Sequence, residues 1–338
     1  MKKKILIALT VIVVVIGAVA AWGYSIAFNR YEGPEPVRIY VPAGWTEQQL
    51  RDMLTSSLGA DYGGDVYMLF AHRGGKMDKV IGSYVINPGD RAWSVSNRLR
   101  TGTQAPVQLT FNNVRTLPEL AKRIAEKFAW TPEQFLAAAD TVLPTLGYDS
   151  REQYMAAFAP DSYEFYWTTT PDKVVRTIAG YRDKFWNDSR LHKAKELGLT
   201  PVQVATLASI VEEETAKTDE RGKVARLYLN RLGEGMKLQA DPTVKFAVGN
   251  FALKRIGGNM LNTPSPYNTY HVNGLPPGPI RIVENATIDA VLNAPKHSYL
   301  YMCAKSDFSG YHDFASDYNT HLANARRYQS ELNRRGIH

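Results

Sequence analysis

The stretch TPVQVATLASIVEEET, residues 200–215, predicts one amphipathic helix that carries three consecutive carboxylates near its end. Thr200 is followed by Pro201 and, three positions after the threonine, by Gln203. This is the pattern of a capping box with proline at the first helical position. The helix is expected to run over residues 200–217, because apolar residues recur at helical spacing, at Val204, Leu207, Ala208 and Val211.

The three carboxylates face different sides of this predicted helix. At about 100° per residue, Glu214 shares a side with Leu207 and Val211. Glu213 falls nearly opposite the apolar stripe, and Glu212 lies at its edge. Glu214 is therefore predicted to be the one carboxylate that points toward the protein core.

A carboxylate on an apolar face has two interpretations. Burial disfavours the charged form and raises the pKa, which suits a general acid that works near neutral pH. Alternatively, Glu214 forms a structural salt bridge with an arginine of the next predicted helix, at Arg221, Arg226 or Arg231. The helix pattern alone leaves both interpretations open.

The N-terminal residues carry a membrane signal. The basic start Lys2-Lys3-Lys4 precedes an apolar run from Ile5 to about Trp22, which is long enough to span a bilayer as a helix. Residues 1–24 are expected to form a cytoplasmic start and a single transmembrane anchor, with the rest of the chain outside the cytoplasm. The alternative is a cleaved signal peptide with a site at Ala18-Val19-Ala20.

Composition excludes several classes of function. The 40 Lys and Arg and 33 Asp and Glu are dispersed along 338 residues, without a basic arm or a zinc-finger spacing, so nucleic acid is not an expected partner. The chain has no HExxH, GxSxG or phosphate-binding glycine loop, so no metal, cofactor or nucleotide is expected. The single Cys303 excludes an intramolecular disulfide and is expected in a buried strand.

Turn and periodicity signals predict an α+β protein. Residues 25–36 are typical of a linker, and residues 37–105 predict a small module in which strand, Pro-Gly turn and short helix occur twice. Residues 106–338 predict a mostly helical domain with small β elements. Strands are predicted at 37–41, 84–86, 107–111, 236–238 and 299–303, and helices at 46–54, 94–99, 116–127, from 131 onward, and at 171–198, 219–232 and 320–335.

Loops after the predicted carboxylate helix combine aromatic, amide and proline residues at close spacing. Aromatic faces cover sugar rings, and amides and carboxylates bind hydroxyl and N-acetyl groups, so such loops are typical of a carbohydrate-binding groove. Gln239, Asn268 and Tyr270 are the candidates, although the same residues also suit purely structural connections. His271 and His312 are interpreted as surface or hydrogen-bonded histidines, with His312 in a polar tail loop that can border a cleft.

Several of these blocks, in this order, resemble the signature motifs of the YceG-like endolytic murein transglycosylases (MltG type). The matching blocks are ASIVEEET at 208–215, LQADPT at 238–243, YNTY at 267–270, GLPPGPI at 274–280 and DFSGYH at 307–312. The segment 160–163 resembles a Pro-(Asp/Asn)-Thr-Tyr block in which Ser162 keeps the hydroxyl. The unit at 84–102 is similar to the LysM-like region of the family. The Glu-x-Glu-Thr motif maps the catalytic glutamate onto Glu214.

The resemblance implies lytic cleavage of peptidoglycan between N-acetylmuramic acid and N-acetylglucosamine, leaving a 1,6-anhydro end. One glutamate, Glu214, serves as acid and then as base, and no cofactor is needed because the substrate supplies the nucleophile. The implied substrate-binding residues are Thr215, Gln239, Asp241, Thr243, Tyr267, Asn268 and Tyr270. The implied setting is the bacterial inner membrane, with glycan strands as substrate and membrane-bound peptidoglycan synthases as partners.

Two alternatives remain at this stage. A muramidase would hydrolyse the same bond with a second carboxylate, at Asp241 or Asp161. A non-catalytic wall-binding protein would use the LysM-like unit to hold glycan without cutting it.

Overall fold

The computed structural model describes residues 2–253 and 256–336. The predicted anchor begins at Met1, and the predicted domain 106–338 includes Lys254, Arg255, Ile337 and His338, all of which lie outside the described residues. The helices are α1 (Lys2–Phe28), α2 (Glu47–Leu58), α3 (Ala60–His72), α4 (Ala92–Thr101), α5 (Leu117–Ala125), α6 (Pro132–Val142), α7 (Pro171–Phe185), α8 (Asp188–Glu196), α9 (Pro201–Glu214), α10 (Arg221–Gly233), α11 (Asp241–Val248), α12 (Asn285–Leu292) and α13 (Tyr318–Arg334). The strands are β1 (Val37–Val41), β2 (Gly82–Ile86), β3 (Val107–Phe111), β4 (Asp161–Phe165), β5 (Tyr301–Ala304) and β6 (His312–Ala315).

This arrangement is a mixed α+β fold that is mostly helical, as the sequence predicts. The strands form two-stranded sheets, in which β1 pairs with β2, β3 with β4 and β5 with β6. The β1–β2 and β5–β6 pairs are antiparallel. The chain divides into two compact units, one of residues 1–109, 127–129 and 164–169, and one of 110–126, 130–163 and 170–338.

The first unit is built on the β1–β2 pair, in which Ile39 lies opposite Tyr84. Thr46 caps α2 through a capping box with Gln49. Helices α2, α3 and α4 bury their apolar faces in one core, whose members include Val41, Leu50, Leu54, Val66, Phe70, Ile86, Val95 and Leu99. Helix α3 is missed by the sequence analysis, because Gly63 and Gly64 weaken its helical signal.

Helix α1 is long and apolar. Its segment Lys3–Phe28 spans 26 residues with a mean hydropathy of 2.9, which is sufficient by length and composition to cross a membrane, although a signal sequence also meets these criteria. The predicted linker 25–36 begins too early, since the helix continues to Phe28. It continues because Ile26 is buried and the Phe28 ring lies 4.8 Å below the Arg91 guanidinium.

The core of the second unit surrounds α9. The predicted capping box is confirmed, because the Gln203 amide N lies 3.2 Å from Thr200 Oγ1 and the Thr200 amide N lies 2.9 Å from Gln203 Oε1. Helices α10, α11 and α12 pack against α9, and residues 204–212 are all buried. The helix ends at Glu214 rather than at 217, because Thr215 is extended with φ −136° and ψ 130°.

Several predicted elements need correction. The predicted strand 236–238 is an irregular segment, in which the Leu238 carbonyl accepts a hydrogen bond from Arg231 instead of from a neighbouring strand. The predicted helix 171–198 is two helices, α7 and α8, because Asn187 caps a new helix. Helices α11 and α12 lie in the stretch expected to contain loops, where eight residues give too little periodicity to be recognised.

Candidate active site

A cleft of about 260 Å³ lies in the second unit where the carboxylate helix ends. Helices α9, α10 and α11, the segment before α11, the loop after residue 265, and strands β5 and β6 all contribute to its wall. Its polar lining consists of Glu214, Tyr228, Arg231, Gln239, Asp241, Tyr270 and His312.

Glu214 is the last residue of α9 and is partly buried. Its Oε1 accepts a hydrogen bond from the Tyr228 hydroxyl at 2.6 Å. Burial raises the pKa of Glu214 from 4.5 to about 7, and the hydrogen bond from Tyr228 opposes that rise. The negative charge of Asp241 adds to the rise, and His312 counteracts it. Protonated and ionised forms of Glu214 are therefore both populated near neutral pH.

Tyr228 is a stable hydrogen-bond donor to this carboxyl group. Burial, reinforced by the charge of Glu214, raises the pKa of Tyr228 well above 10. The phenol consequently keeps its proton whether Glu214 is charged or neutral. Tyr228 thus holds the carboxyl group of Glu214 on the cleft wall.

Glu212 is more buried than Glu214, so the prediction that only Glu214 points inward is wrong. Glu212 Oε2 accepts hydrogen bonds from the Glu284 amide at 3.1 Å and from Thr287 Oγ1 at 2.6 Å. Its other oxygen lies 3.2 Å from Arg281 Nη2. The apolar-stripe argument assumes one buried face, whereas α9 is enclosed by other elements along most of its length.

The structural salt bridge considered for Glu214 occurs at its two neighbours instead. Arg221 Nη1 lies 4.0 Å from Glu212 Oε2. Glu213, predicted to lie opposite the apolar stripe, pairs with Arg115 at 3.0 Å and with Arg281 at 2.7 Å. These ion pairs neutralise Glu212 and Glu213. Of the three consecutive glutamates, Glu214 is the one whose side chain lines the cleft.

The other two candidate arginines bind main-chain carbonyls. Arg226 donates to the Ala294 carbonyl at 2.9 Å. Arg231 donates to the carbonyls of Leu238 and Leu300, each at 2.6 Å. Arg231 thus fastens α10 both to the segment before Gln239 and to the start of β5.

The Gln239–Asp241 segment is held by the loop that follows residue 265. Gln239 has φ 50°, a left-handed conformation that costs a non-glycine residue about 1–2 kcal/mol. Its amide donates to the Thr269 carbonyl at 3.1 Å. The Tyr270 hydroxyl donates to Asp241 Oδ1 at 2.7 Å. These bonds compensate the strain and place Gln239, Asp241 and Tyr270 on the cleft wall.

Three other predicted binding residues support the cleft from outside its lining. Thr243 is wholly buried and donates to the Ala240 carbonyl at 2.7 Å. The wholly buried Asn268 donates its amide to two carbonyls, at 2.8 and 2.9 Å, and accepts from the Tyr270 amide at 3.1 Å. The Tyr267 ring packs on Phe246 with centroids 4.6 Å apart. Asn268 thereby positions Tyr270, and Thr243 supports Gln239 through Thr269.

Thr215 also lies outside the lining of the cleft. It is buried, and its hydroxyl donates to Glu220 Oε2 at 3.1 Å while accepting from the Lys217 amide at 3.0 Å. Glu220 in turn accepts from the main-chain amide of His312 at 2.8 Å and contacts His312 Nδ1 at 2.8 Å. Thr215 therefore connects the end of the carboxylate helix to a histidine on the cleft wall.

Of the polar cleft residues, Tyr228 was not named by the sequence analysis, and Arg231 was considered only as a salt-bridge partner of Glu214. Both belong to the buried stripe of α10 that also contains Val224. A tyrosine on such a stripe needs a hydrogen-bond partner, and that requirement was the signal available in the sequence. His312 borders the cleft as expected, but from strand β6 and not from a loop. Cys303, expected to be buried, is only partly buried in β5 on the same wall.

Asp161, one of the two alternative second carboxylates, is exposed on β4, where its Oδ1 accepts from the Ser162 amide at 2.7 Å. Asp241, the other, is on the cleft wall. Within residues 2–253 and 256–336, no cluster of three or more His, Cys, Asp or Glu side chains is arranged to hold a metal ion.

Residues 39–327 match the model of the YceG-like family. The chain is 29% identical over 245 residues to an endolytic murein transglycosylase of Bacillus subtilis (strain 168), covering 67% of each chain. It is 25% identical over 339 aligned positions to an endolytic murein transglycosylase of Streptococcus pneumoniae (strain D39), covering 89% of this chain but 61% of the relative.

A crystal structure of a putative yceG-like protein from Listeria monocytogenes has a similar fold. Its TM-score is 0.58 at 21% identity, covering 86% of this chain and 99% of that one. The chain thus spans about two thirds or less of the curated relatives and nearly all of the solved structure. Since the family model matches well over half of its length, the chain belongs to the YceG-like family.

Proposed function

We propose that this chain is a membrane-anchored endolytic lytic transglycosylase that cuts peptidoglycan glycan strands between N-acetylmuramic acid and N-acetylglucosamine. The family and the names of its relatives support this enzyme class. The observation that carries the proposal is Glu214, a partly buried carboxyl group with a pKa of about 7 in a polar cleft. A general acid is most effective when its pKa lies near the working pH.

The first step is protonation of the glycosidic oxygen. Glu214 in its neutral form donates its proton to this oxygen as the bond to C1 of N-acetylmuramic acid breaks. The carboxylate that results keeps its hydrogen bond from Tyr228, 2.6 Å away. That bond stabilises the new anion, because a donor to the charged form favours ionisation.

The second step closes the ring within the substrate. The C6 hydroxyl of the muramic residue attacks C1 and forms a 1,6-anhydro bond, so no water is consumed. In the single-carboxylate mechanism, Glu214 then receives the proton released by this hydroxyl and is ready for another cycle. The substrate supplies the nucleophile, and no metal or cofactor takes part.

The remaining cleft residues bind the sugar. Gln239 offers an amide, Asp241 a carboxylate, and Tyr270 an aromatic ring whose hydroxyl is already bonded to Asp241. Amides and carboxylates bind sugar hydroxyl and N-acetyl groups, and the ring covers an apolar sugar face. Thr215, Thr243, Tyr267 and Asn268 contribute by holding these groups in place.

The proposal places the enzyme in the bacterial inner membrane. Helix α1 anchors it with the N-terminus in the cytoplasm, and residues 29–36 link the anchor to the outer part of the protein. Residues 37–105 form a LysM-like module, and residues 106–338 form the catalytic domain. An enzyme held there acts on nascent glycan strands beside membrane-bound synthases and terminates them.

The decisive experiment compares full-length wild type and Glu214→Gln in detergent, with peptidoglycan as substrate and mass analysis of the products. Glutamine has the shape of glutamic acid but cannot donate the required proton, so anhydro-ended products are expected to fall by about 10³-fold or more. Glu213→Gln is the matched control, because Glu213 precedes Glu214 on α9 but pairs with Arg115 and Arg281 outside the cleft lining. Anhydro products from Glu214→Gln at the wild-type rate would refute the proposal.

A muramidase is the second candidate, because Asp241 lines the same cleft as Glu214. Two carboxylates across one bond are the usual equipment for hydrolysis. The same mass analysis separates the reactions, since a reducing end is heavier than an anhydro end by one water. Binding of glycan by the wild type without any cleavage would instead indicate the wall-binding protein.

A further inference from the structure

We propose that His312 is a second catalytic residue, whose Nε2 takes the proton of the attacking sugar hydroxyl while Glu214 protonates the departing glycosidic oxygen. This inference rests on the proposed function and deepens it. It divides between two side chains the proton transfers that the single-carboxylate mechanism gives to Glu214 alone.

The geometry around His312 fixes both the position and the tautomer of its ring. One oxygen of Glu220 accepts from the main-chain amide of His312, and the other lies 2.8 Å from Nδ1. A carboxylate only accepts hydrogen bonds, so Nδ1 must carry a hydrogen. In the neutral ring the lone pair then belongs to Nε2, the nitrogen not used by Glu220.

Glu220 is built to support a charged imidazole. Its side chain is only 5% exposed, and it also accepts a hydrogen bond from Thr215 at 3.1 Å. A buried carboxylate that binds Nδ1 orients the ring and stabilises the imidazolium that forms when Nε2 takes a proton. The structural explanation, a simple link between β6 and the N-terminus of α10, does not require the ring to lie on the cleft wall.

His312 shares that wall with few charged groups. The others that line it are Glu214 from α9, Arg231 from α10 and Asp241 from α11. Across the strand pair His312 lies opposite Ala304, and its neighbour Asp313 is 3.7 Å from Arg327. The Arg231 guanidinium is engaged by the carbonyls of Leu238 and Leu300. His312 therefore lies on the same cleft wall as the acid Glu214, with Nδ1 and not Nε2 engaged by Glu220.

The proton transfers balance without an additional reactant. The C1–O bond breaks, and the departing oxygen takes the proton of Glu214. The C6 oxygen forms the new bond to C1, and its proton moves to Nε2 of His312. The cleft then holds a carboxylate and an imidazolium, and transfer of one proton from His312 to Glu214 restores the starting state.

The test is chemical rescue in the full-length protein. His312→Ala is expected to lower kcat for anhydro products by about 10²-fold, with KM changed only slightly. Added imidazole is expected to restore much of the lost kcat, because it supplies a free base in the space left by the side chain. His192→Ala is the control, since His192 lies on α8 with 72% of its side chain exposed; its activity should equal that of wild type with or without imidazole.

A second variant separates catalysis from folding. His312→Gln keeps a polar side chain near Glu220, so its melting temperature should stay close to that of wild type while kcat stays low. Wild-type kcat in His312→Gln, or a folded His312→Ala that imidazole does not rescue, would overturn the inference. Either result would leave the proposed function intact, whereas an active Glu214→Gln would overturn the proposed function itself.

Discussion

Glu212 and Glu214 lie two residues apart at the end of α9, yet their surroundings differ in kind. Glu212 is bonded to the Thr287 hydroxyl and the Glu284 amide and lies 3.2 Å from Arg281. Glu214 has a neutral donor, Tyr228, and an open cleft. Glu212 has cationic partners, whereas burial beside a neutral partner raises the pKa of Glu214 to about 7. The partners of a buried glutamate therefore decide whether it serves structure or chemistry.

The largest expected effect on stability comes from replacing Glu212, the glutamate with the structural role. Glu212→Gln removes the negative charge that faces Arg281 and Arg221, in a site where the Glu212 side chain is 3% exposed. Breaking a buried ion pair on one side costs about 3–5 kcal/mol, so the free energy of unfolding should fall by about that amount. Urea unfolding measures it, and kcat of the folded fraction should change little. A variant as stable as wild type would contradict the structural role of Glu212.

The next effect is the pH dependence of stability that Glu214 imposes. Its pKa is about 7 in the folded protein and near 4.5 when unfolded, so the folded state binds the proton more tightly. The stabilisation, at most about 3 kcal/mol, is complete below pH 4.5 and is lost as the pH rises through about 7. Glu214→Gln stays neutral, so its stability relative to wild type should increase over this interval. Melting temperatures of both proteins across the interval provide the measurement, and parallel curves would refute the raised pKa.

A smaller change should follow from removing the neutral donor. Tyr228→Phe deletes the hydrogen bond that favours the charged form of Glu214, so the pKa of Glu214 should rise further above about 7. The alkaline limb of the activity profile should move to higher pH, and kcat at neutral pH should fall about tenfold because the carboxylate loses a stabilising donor. Tyr299→Phe is a suitable control, because Tyr299 packs on Phe314 outside the cleft lining. An unchanged alkaline limb would mean that Tyr228 does not tune Glu214.

The smallest effect is expected at Thr215, which follows Glu214 in the chain and contacts Glu220, the partner of His312. Thr215→Val removes the hydroxyl that donates to Glu220 at 3.1 Å. One hydrogen bond to a buried carboxylate corresponds to about 1.5 kcal/mol, so a loss of kcat of roughly tenfold or less is expected. Thr215→Ser keeps the hydroxyl and should restore kcat. Equal activities of the valine and serine variants would show that Thr215 acts only through packing.

Much of the local structure was predictable from the sequence. The capping box at Thr200 and Gln203 was recognisable because its residues interact within one helical turn. The strands at Val37–Val41 and Val107–Phe111 were predicted at their observed bounds, because their apolar and polar residues alternate. The selection of Glu214 as the catalytic residue stays a prediction. Its position at the cleft, its raised pKa and its hydrogen bond from Tyr228 support that prediction.

The partners of the carboxylates were not predictable in the same way. Arg281 reaches Glu212 and Glu213 from about seventy positions away, and His312 meets Glu220 from a distance of 92 positions. Helical periodicity describes which side of one helix a residue occupies but not which element covers that side. It therefore gave one buried face to α9, although neighbouring elements enclose residues 204–212 completely.

The sequence by itself determined many of the helices and strands, the apolar N-terminal segment, and the motifs that identify the family, because these depend on residues close together in the chain. Only the tertiary structure decided which glutamate is neutralised by arginine and which faces a cleft with a tyrosine. The physical reason is that a pKa responds to charges, donors and water within a few ångströms. In this protein those neighbours come from segments that are far apart in the sequence.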